Sequence, residues 1–387
     1  MNNSRDYIKL ETTGANLLLG ATILALVISN SPWHEFYKNI FFNPIVILLG
    51  ALEVKLNLKF LINEVLMTVF FLVASLEIKY ECLQGALNSY RKALLPVIAA
   101  IGGMIVPALI YILFNYHDHF RLRGWAIPIA TDIAFSLGVL SLLGSRVIPS
   151  LKSFLMTLAI IDDLIAIIII AFFYTNHVSF IFLSLGIFCL LILFLLNQKG
   201  VVYLIPYVLV GVFLWIDFLL AGIHPTLAGV ALAFSIPLYQ KKSEGQPPLH
   251  HLKELLHPVV ALGILPLFAF ANAGITFFKI SIETLQSSII FGILISLFIG
   301  KQLGIFGMSW VAVKLRIAHL PEHVRWLELY AIAMICGIGF TISLFVGALA
   351  FGDIHNFYLD SVKIGVLSGS LLSGLFGYLL LFFTKRQ

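Results

Sequence analysis

"FLMTLAIIDDLIAIIIIAFFYTN", Phe154 to Asn176, sets two adjacent aspartates, Asp162 and Asp163, in a run that is otherwise apolar from Ile160 to Phe173. A helix that crosses the hydrocarbon of a bilayer needs about 20 mainly apolar residues. From Lys152 to Thr175 the chain meets that length, and the two carboxylates fall at its middle. Charge at that depth is costly unless it is paired or hydrated, so an intramembrane acid is read first as part of a functional site.

Composition agrees with a membrane reading. The chain has 387 residues, 60% hydrophobic and 11% charged, with a mean hydropathy of +1.02. Soluble domains carry about a quarter charged residues, and no polar stretch is long enough to form a soluble domain. Cys82, Cys189 and Cys336 are scattered without metal-ligand spacing, which argues against a disulfide framework or a zinc site. The apolar run near the N-terminus follows acidic residues and lacks a small-x-small cleavage pattern, so it reads as a retained first helix. The net charge of +5 comes from loop residues, where membrane topology explains it and nucleic acid is not required.

The expected fold is an all-α polytopic membrane protein, one transmembrane domain over 1–387, with twelve spans. These are 12–30, 60–80, 94–115, 124–143, 150–175, 179–196, 201–219, 223–237, 252–275, 288–313, 326–350 and 358–384. Twelve spans put both termini on one side. Of the 24 Lys and Arg residues, 16 fall in the loops of that side, including Lys241, Lys242, Lys385 and Arg386, and 7 on the other, with Lys301 inside a span. The positive-inside rule then places both termini in the cytoplasm. Outside the membrane, "ALEVKLNLK" alternates with a period of two and follows "NPIVILLG", whose Gly50 suits a turn. Residues 43–59 therefore read as a short external β-hairpin, with edges that invite pairing with a second copy of the chain.

Asp162 and Asp163 share their depth with Asp132, near the centre of the fourth span, and Lys301, near the centre of the tenth. One lysine cannot neutralise three carboxylates, so protons or a bound cation must supply the remaining positive charge. Hard cations favour oxygen ligands, and neighbouring carboxylates titrate together. Competition between a proton and a small cation at a site that opens to each face in turn amounts to cation/proton exchange. Pro128 precedes Asp132, and Gly337 and Gly339 interrupt the eleventh span. Interrupted helices in corresponding places mark transport sites. Other classes fit less well. A polytopic prenyltransferase needs acidic clusters at surface loops with basic partners for diphosphate, an intramembrane aspartyl protease needs a GxGD motif that this chain lacks, and a channel needs a continuous polar lining. Exchange of a different alkali cation, potassium or lithium, stays open.

"GWAIPIATDIAFSLGVLSLLGSRV", "FLMTLAIIDDLIAIIIIAFFYTN", "LPLFAFANAG", "FIGKQLGI" and "CGIGFTISLFVGALAFG" together resemble the NhaA family of bacterial sodium/proton antiporters, in order and over essentially the whole chain. The resemblance implies spans three to five and ten to twelve forming an inverted repeat, with discontinuous fourth and eleventh helices crossing at the site. It implies Asp163 as the main Na+ ligand and proton carrier, with Asp162 pairing Lys301 and helping to carry protons. Thr131 and Asp132 then sit at the helix crossing. It further implies electrogenic, pH-regulated exchange of Na+ or Li+ for H+ without a cofactor, an inner-membrane location, contact with membrane lipid, and a homodimer joined through the periplasmic hairpin. Candidate pH-sensing residues are Glu77, Glu254, His257 and His224. Tyr80 stands where an arginine is common, Lys253 and Glu254 where some relatives carry Glu and His, and Gln302 where relatives carry a proline. Asp217 reads as a helix-end or lining carboxylate, and His117, His119 and His177 as loop residues.

Overall fold

A computed structural model describes residues 3–49, 52–175, 178–238, 247–352 and 356–384. Gly50, His177, Lys241, Lys242, Lys385 and Arg386 lie outside the described residues. The helices are α1 (Asn3–Ser29), α2 (Leu58–Leu83), α3 (Tyr90–Asn115), α4 (Ile133–Leu142), α5 (Pro149–Phe173), α6 (Phe180–Gln198) and α7 (Leu204–Ala221). They continue with α8 (Thr226–Ser235), α9 (Pro248–Asn272), α10 (Ile282–Lys314), α11 (Trp326–Ile335), α12 (Phe340–Phe351) and α13 (Asn356–Phe383). Among the described residues nine helices are long and apolar enough to cross a membrane, and α11 with α12, bent by 41° at their break, make a tenth.

The stretches expected as the fourth and eighth spans differ from expectation. α4 and α8 have ten residues each, too few to cross alone. Before α4 the backbone runs through a 3-10 turn at Arg123–Ala126 and then leaves the helix near Pro128. Proline lacks the N–H that a helix interior needs and disfavours helix at the residue before it. Pro225 stands just ahead of α8 in the same way, after Gly222 ends α7 in the left-handed region at φ 80°.

A two-stranded antiparallel hairpin joins β1 (Ile45–Leu49) to β2 (Leu52–Leu56), in a register that pairs Ile45 with Leu56 and Leu49 with Leu52. It precedes α2 and follows a short helix at His34–Phe42.

Two apolar clusters hold the helices together. One runs through α1 to α5 and α9 to α13; the other joins α6, α7 and α8 to one face of α2 and the start of α9. Of the nine continuous spans α5 is the most enclosed, 72% buried, while α6 is 17% buried and faces outward. A bilayer gives helices no hydrophobic reason to associate, so small residues and close packing do that work. α3 and α10 meet in this way: a Cβ added at Gly304 would lie 2.1 Å from the Gly102 carbonyl oxygen, and one added at Gly102 would lie 2.3 Å from that of Gly304. One helical turn from Gly304 is Lys301. Gly304→Val is therefore expected to force α3 and α10 apart, costing about 1–3 kcal/mol or more. Thermal unfolding in detergent checks this; an unshifted midpoint would show that the contact is not needed.

Candidate functional site

Adjacent residues on a helix point about 100° apart, and this separates the two aspartates of α5. Asp162 turns toward α10 and Asp163 toward a cavity. Asp162, Asp163, Asp132, Thr131 and Lys301 are all buried, none more than 2% exposed. The structure thus gathers all five mid-membrane residues singled out in the sequence.

Each carboxylate has a different environment. Lys301 Nζ donates to Asp162 Oδ2 at 2.7 Å and to Thr131 Oγ1 at 3.1 Å. Thr131 Oγ1 lies 2.8 Å from both Asp162 Oδ2 and the Cys336 carbonyl oxygen, and its single proton serves one of them at a time. Lys301 is placed by the helix itself, because it follows a π-turn at Ser296–Gly300 where its N–H reaches back to Ser296. Such turns rotate the following residues relative to a regular helix and recur at functional sites.

Asp132 sits at two helix starts. Its side chain accepts from the Phe135 N–H at 2.9 Å, capping α4, and from the Thr341 N–H at 3.0 Å and Thr341 Oγ1 at 2.6 Å in the first turn of α12. Its own N–H donates to the Ile338 carbonyl at 2.7 Å. Helix N-termini carry partial positive charge and unpaired N–H groups, so one carboxylate between two of them is well compensated. The break in the eleventh span is otherwise closed by hydroxyls. Ser136 Oγ donates to the Ile335 carbonyl at 3.4 Å, and Ser370 Oγ of α13 accepts from the Gly339 and Phe340 N–H groups at 3.3 Å each. A Cβ at Gly337 would sit 2.3 Å from the Leu297 carbonyl, so the break needs glycine there.

Asp163 has neither kind of compensation. Its Oδ1 is buried with no hydrogen-bond partner among the described residues, as is Asp162 Oδ1. Asp163 and Asp132 line a cavity of about 70 Å³ that extends past Met156, Ile160 and Thr341 to Glu11, Glu77 and His257. Among the described residues no three His, Cys, Asp or Glu side chains converge to hold a metal ion. A cation at Asp163 would complete its shell with hydroxyl and carbonyl oxygens or water, as a transiently held ion does.

At the cavity's far end, His257 Nε2 lies 3.0 Å from Glu11 and 4.0 Å from Glu77, while Lys253 Nζ lies 3.2 Å from Glu77 and 5.4 Å from the Tyr80 ring centroid. Two of the four pH-sensing candidates, Glu77 and His257, therefore meet here. Glu254 does not: next to Lys253 on α9, it falls on the exposed face. His224 is also elsewhere, 3.7 Å from Glu64, 3.0 Å from Thr226 Oγ1 and against the Phe345 ring. Asp217 is half-buried in the last turns of α7 and accepts from Cys189 Sγ at 3.4 Å.

Sequence reading missed Thr341, Ser136, Ser370 and Glu11. Thr341 could have been found two residues after Gly339, just past the expected interruption; Ser370 lies in the small-residue run "SGSLLSG". Nothing local marks Glu11.

A family model described as Na+/H+ antiporter 1 matches residues 5–381. The chain is 50% identical to Na(+)/H(+) antiporter NhaA 1 of Syntrophotalea carbinolica over 377 residues, 97% of this chain and 95% of that one. It is 48% identical to Na(+)/H(+) antiporter NhaA of Vibrio parahaemolyticus over 380 residues, 98% and 97% of the two chains. To Na(+)/H(+) antiporter NhaA of Pseudomonas fluorescens it is 50% identical over 372 residues, 96% and 94%.

Proposed function

The chain belongs to the Na+/H+ antiporter 1 family, and from that premise we propose that it is a multi-pass secondary transporter exchanging Na+ or Li+ for H+ at Asp163. One observation carries the assignment to that residue. Of three mid-membrane carboxylates, Asp162 is matched by Lys301 and Asp132 by two helix starts, which leaves Asp163 to be neutralised by something mobile.

The cycle follows from charge. In the state described, the cavity joins Asp163 to the Glu11–Glu77–His257 side, which the positive-inside rule makes cytoplasmic. A sodium ion arriving there displaces the proton on Asp163 and a second from Asp162, which then pairs with Lys301. Rearrangement at the broken α11–α12 span then opens the site outward, where sodium leaves and protons return. Asp162 beside Asp163 offers a second protonable group to a site that holds one cation, which makes the exchange electrogenic in our reading. We assign the pH regulation of this exchange to the charged cluster of Glu11, Glu77, Lys253 and His257 at the cavity mouth.

The remaining assignments are parts of the same proposal: twelve membrane crossings in a bacterial inner membrane, both termini cytoplasmic, inverted repeats over spans three to five and ten to twelve, and a homodimer built by pairing of the β1–β2 hairpin.

Competition has a direct test. In weakly buffered detergent solution, adding NaCl to the purified protein is expected to release protons, and apparent Na+ affinity falls as pH falls. Where one proton leaves per ion bound the fall approaches about tenfold per pH unit, and where two leave, about a hundredfold. Sodium binding without proton release would overturn the exchange mechanism.

A further inference from the structure

We propose that Gln302 and Tyr330 are positioning residues whose hydrogen bond ties the turn bearing Lys301 to α11 and so holds the ammonium on Asp162. Tyr330 Oη donates to Gln302 Oε1 at 2.7 Å. Gln302 directly follows Lys301, is 7% exposed, and its Nε2 has no acceptor among the described residues. A buried amide that makes one bond of its several depends heavily on that one.

The bond closes a ring of contacts. From Tyr330, α11 runs to Cys336, whose carbonyl lies 2.8 Å from Thr131 Oγ1. Thr131 contacts Asp162 and the Lys301 ammonium, and Lys301 is bonded through the chain to Gln302. The lysine is thus held at both ends, by Asp162 at its tip and by the Gln302–Tyr330 bond at its base. The base needs this restraint, because the π-turn at Ser296–Gly300 interrupts regular helix bonding immediately before Lys301. On the opposite flank α10 is fixed to α3, where Gly300 sits against Pro107 and Gly304 against Gly102. On the α11 flank the Phe306 ring meets Trp326 and Tyr330 at 5.8 and 5.2 Å, apolar contacts that slide more easily than a hydrogen bond turns.

The consequence is electrostatic. The titratable groups near this ammonium are Asp162, Asp163 and the Cys336 thiol, with Asp132 beyond Asp163. If the turn loosens, the ammonium spends less time on Asp162 and more beside Asp163, where it competes with an arriving sodium ion. The inference rests on the exchange reading above and concerns how that site is held.

The test compares Tyr330→Phe and Gln302→Leu with wild type in everted vesicles, measuring the Na+ concentration for half-maximal exchange at pH 7.0 and 8.5. One lost hydrogen bond corresponds to about a three- to fivefold rise in KM, expected at both pH values with maximal rate near wild type. Purely structural damage lowers the maximal rate at both pH values instead. The double variant Gln302→Leu/Tyr330→Phe leaves no unpaired polar group, so its melting temperature is expected to return toward wild type while the KM shift remains. Unchanged KM in the single variants, or recovery of KM together with stability in the double, would overturn the positioning role. Wild-type vesicles without Na+-dependent exchange would remove the functional reading itself.

Discussion

Asp163→Asn is expected to abolish Na+-driven proton movement in everted vesicles while leaving the fold intact. The substitution keeps the shape of the side chain and removes its charge. Asp163 makes no ion pair and its Oδ1 no hydrogen bond among the described residues, so little native structure depends on the carboxylate. Burying a bare charge opposes folding, so the variant should melt at or above the wild-type temperature. The dye response to sodium should fall to that of vesicles without the protein, because an amide neither carries a proton nor binds sodium as a carboxylate does. Retained exchange would remove Asp163 from the mechanism. Lost exchange with a collapsed melting temperature would instead make its role structural.

Lys301→Ala should act in the opposite way, on stability first. Its ammonium is fully buried against Asp162 at 2.7 Å. Removing one partner of such a pair strands the other charge and typically costs about 3–5 kcal/mol. A drop of several degrees in detergent melting temperature is expected near pH 8. Removing both charges in Asp162→Asn/Lys301→Met should recover most of the stability, as replacement of buried pairs by neutral groups of similar size often does. A melting temperature equal to wild type at pH 8 would show that the pair does not hold α5 to α10. Together the variants separate a carboxylate kept free for its cargo from one bound to a lysine.

Much of this protein is legible in one dimension. A bilayer obliges each crossing segment to be apolar for a fixed length, so the helices could be placed by counting. It also makes every mid-span charge costly, so Asp132, Asp162, Asp163 and Lys301 stood out without any knowledge of their partners. The breaks were signalled by Pro128, Gly337 and Gly339, because backbone freedom and a missing donor are properties of the residue itself. Alternation over residues 52–58 pointed to the hairpin for the same reason. The lengths of α4 and α8 were overestimated, since hydropathy continues through residues that have left the helix.

Partnership was decided by the tertiary structure alone. Lys301 and Asp162 lie 139 positions apart, Asp132 and Thr341 209. No local pattern tells which of two neighbouring aspartates a distant lysine will reach. That choice depends on a rotation of about 100° between them and on the packing of α3 against α10. The same holds for Glu11 beside His257, for Glu254 turned outward, and for Gln302 against Tyr330. The cost of putting a charge in the membrane is a property of the residue and its depth, and sequence records both. Which charges remain uncompensated is a property of the assembled helices.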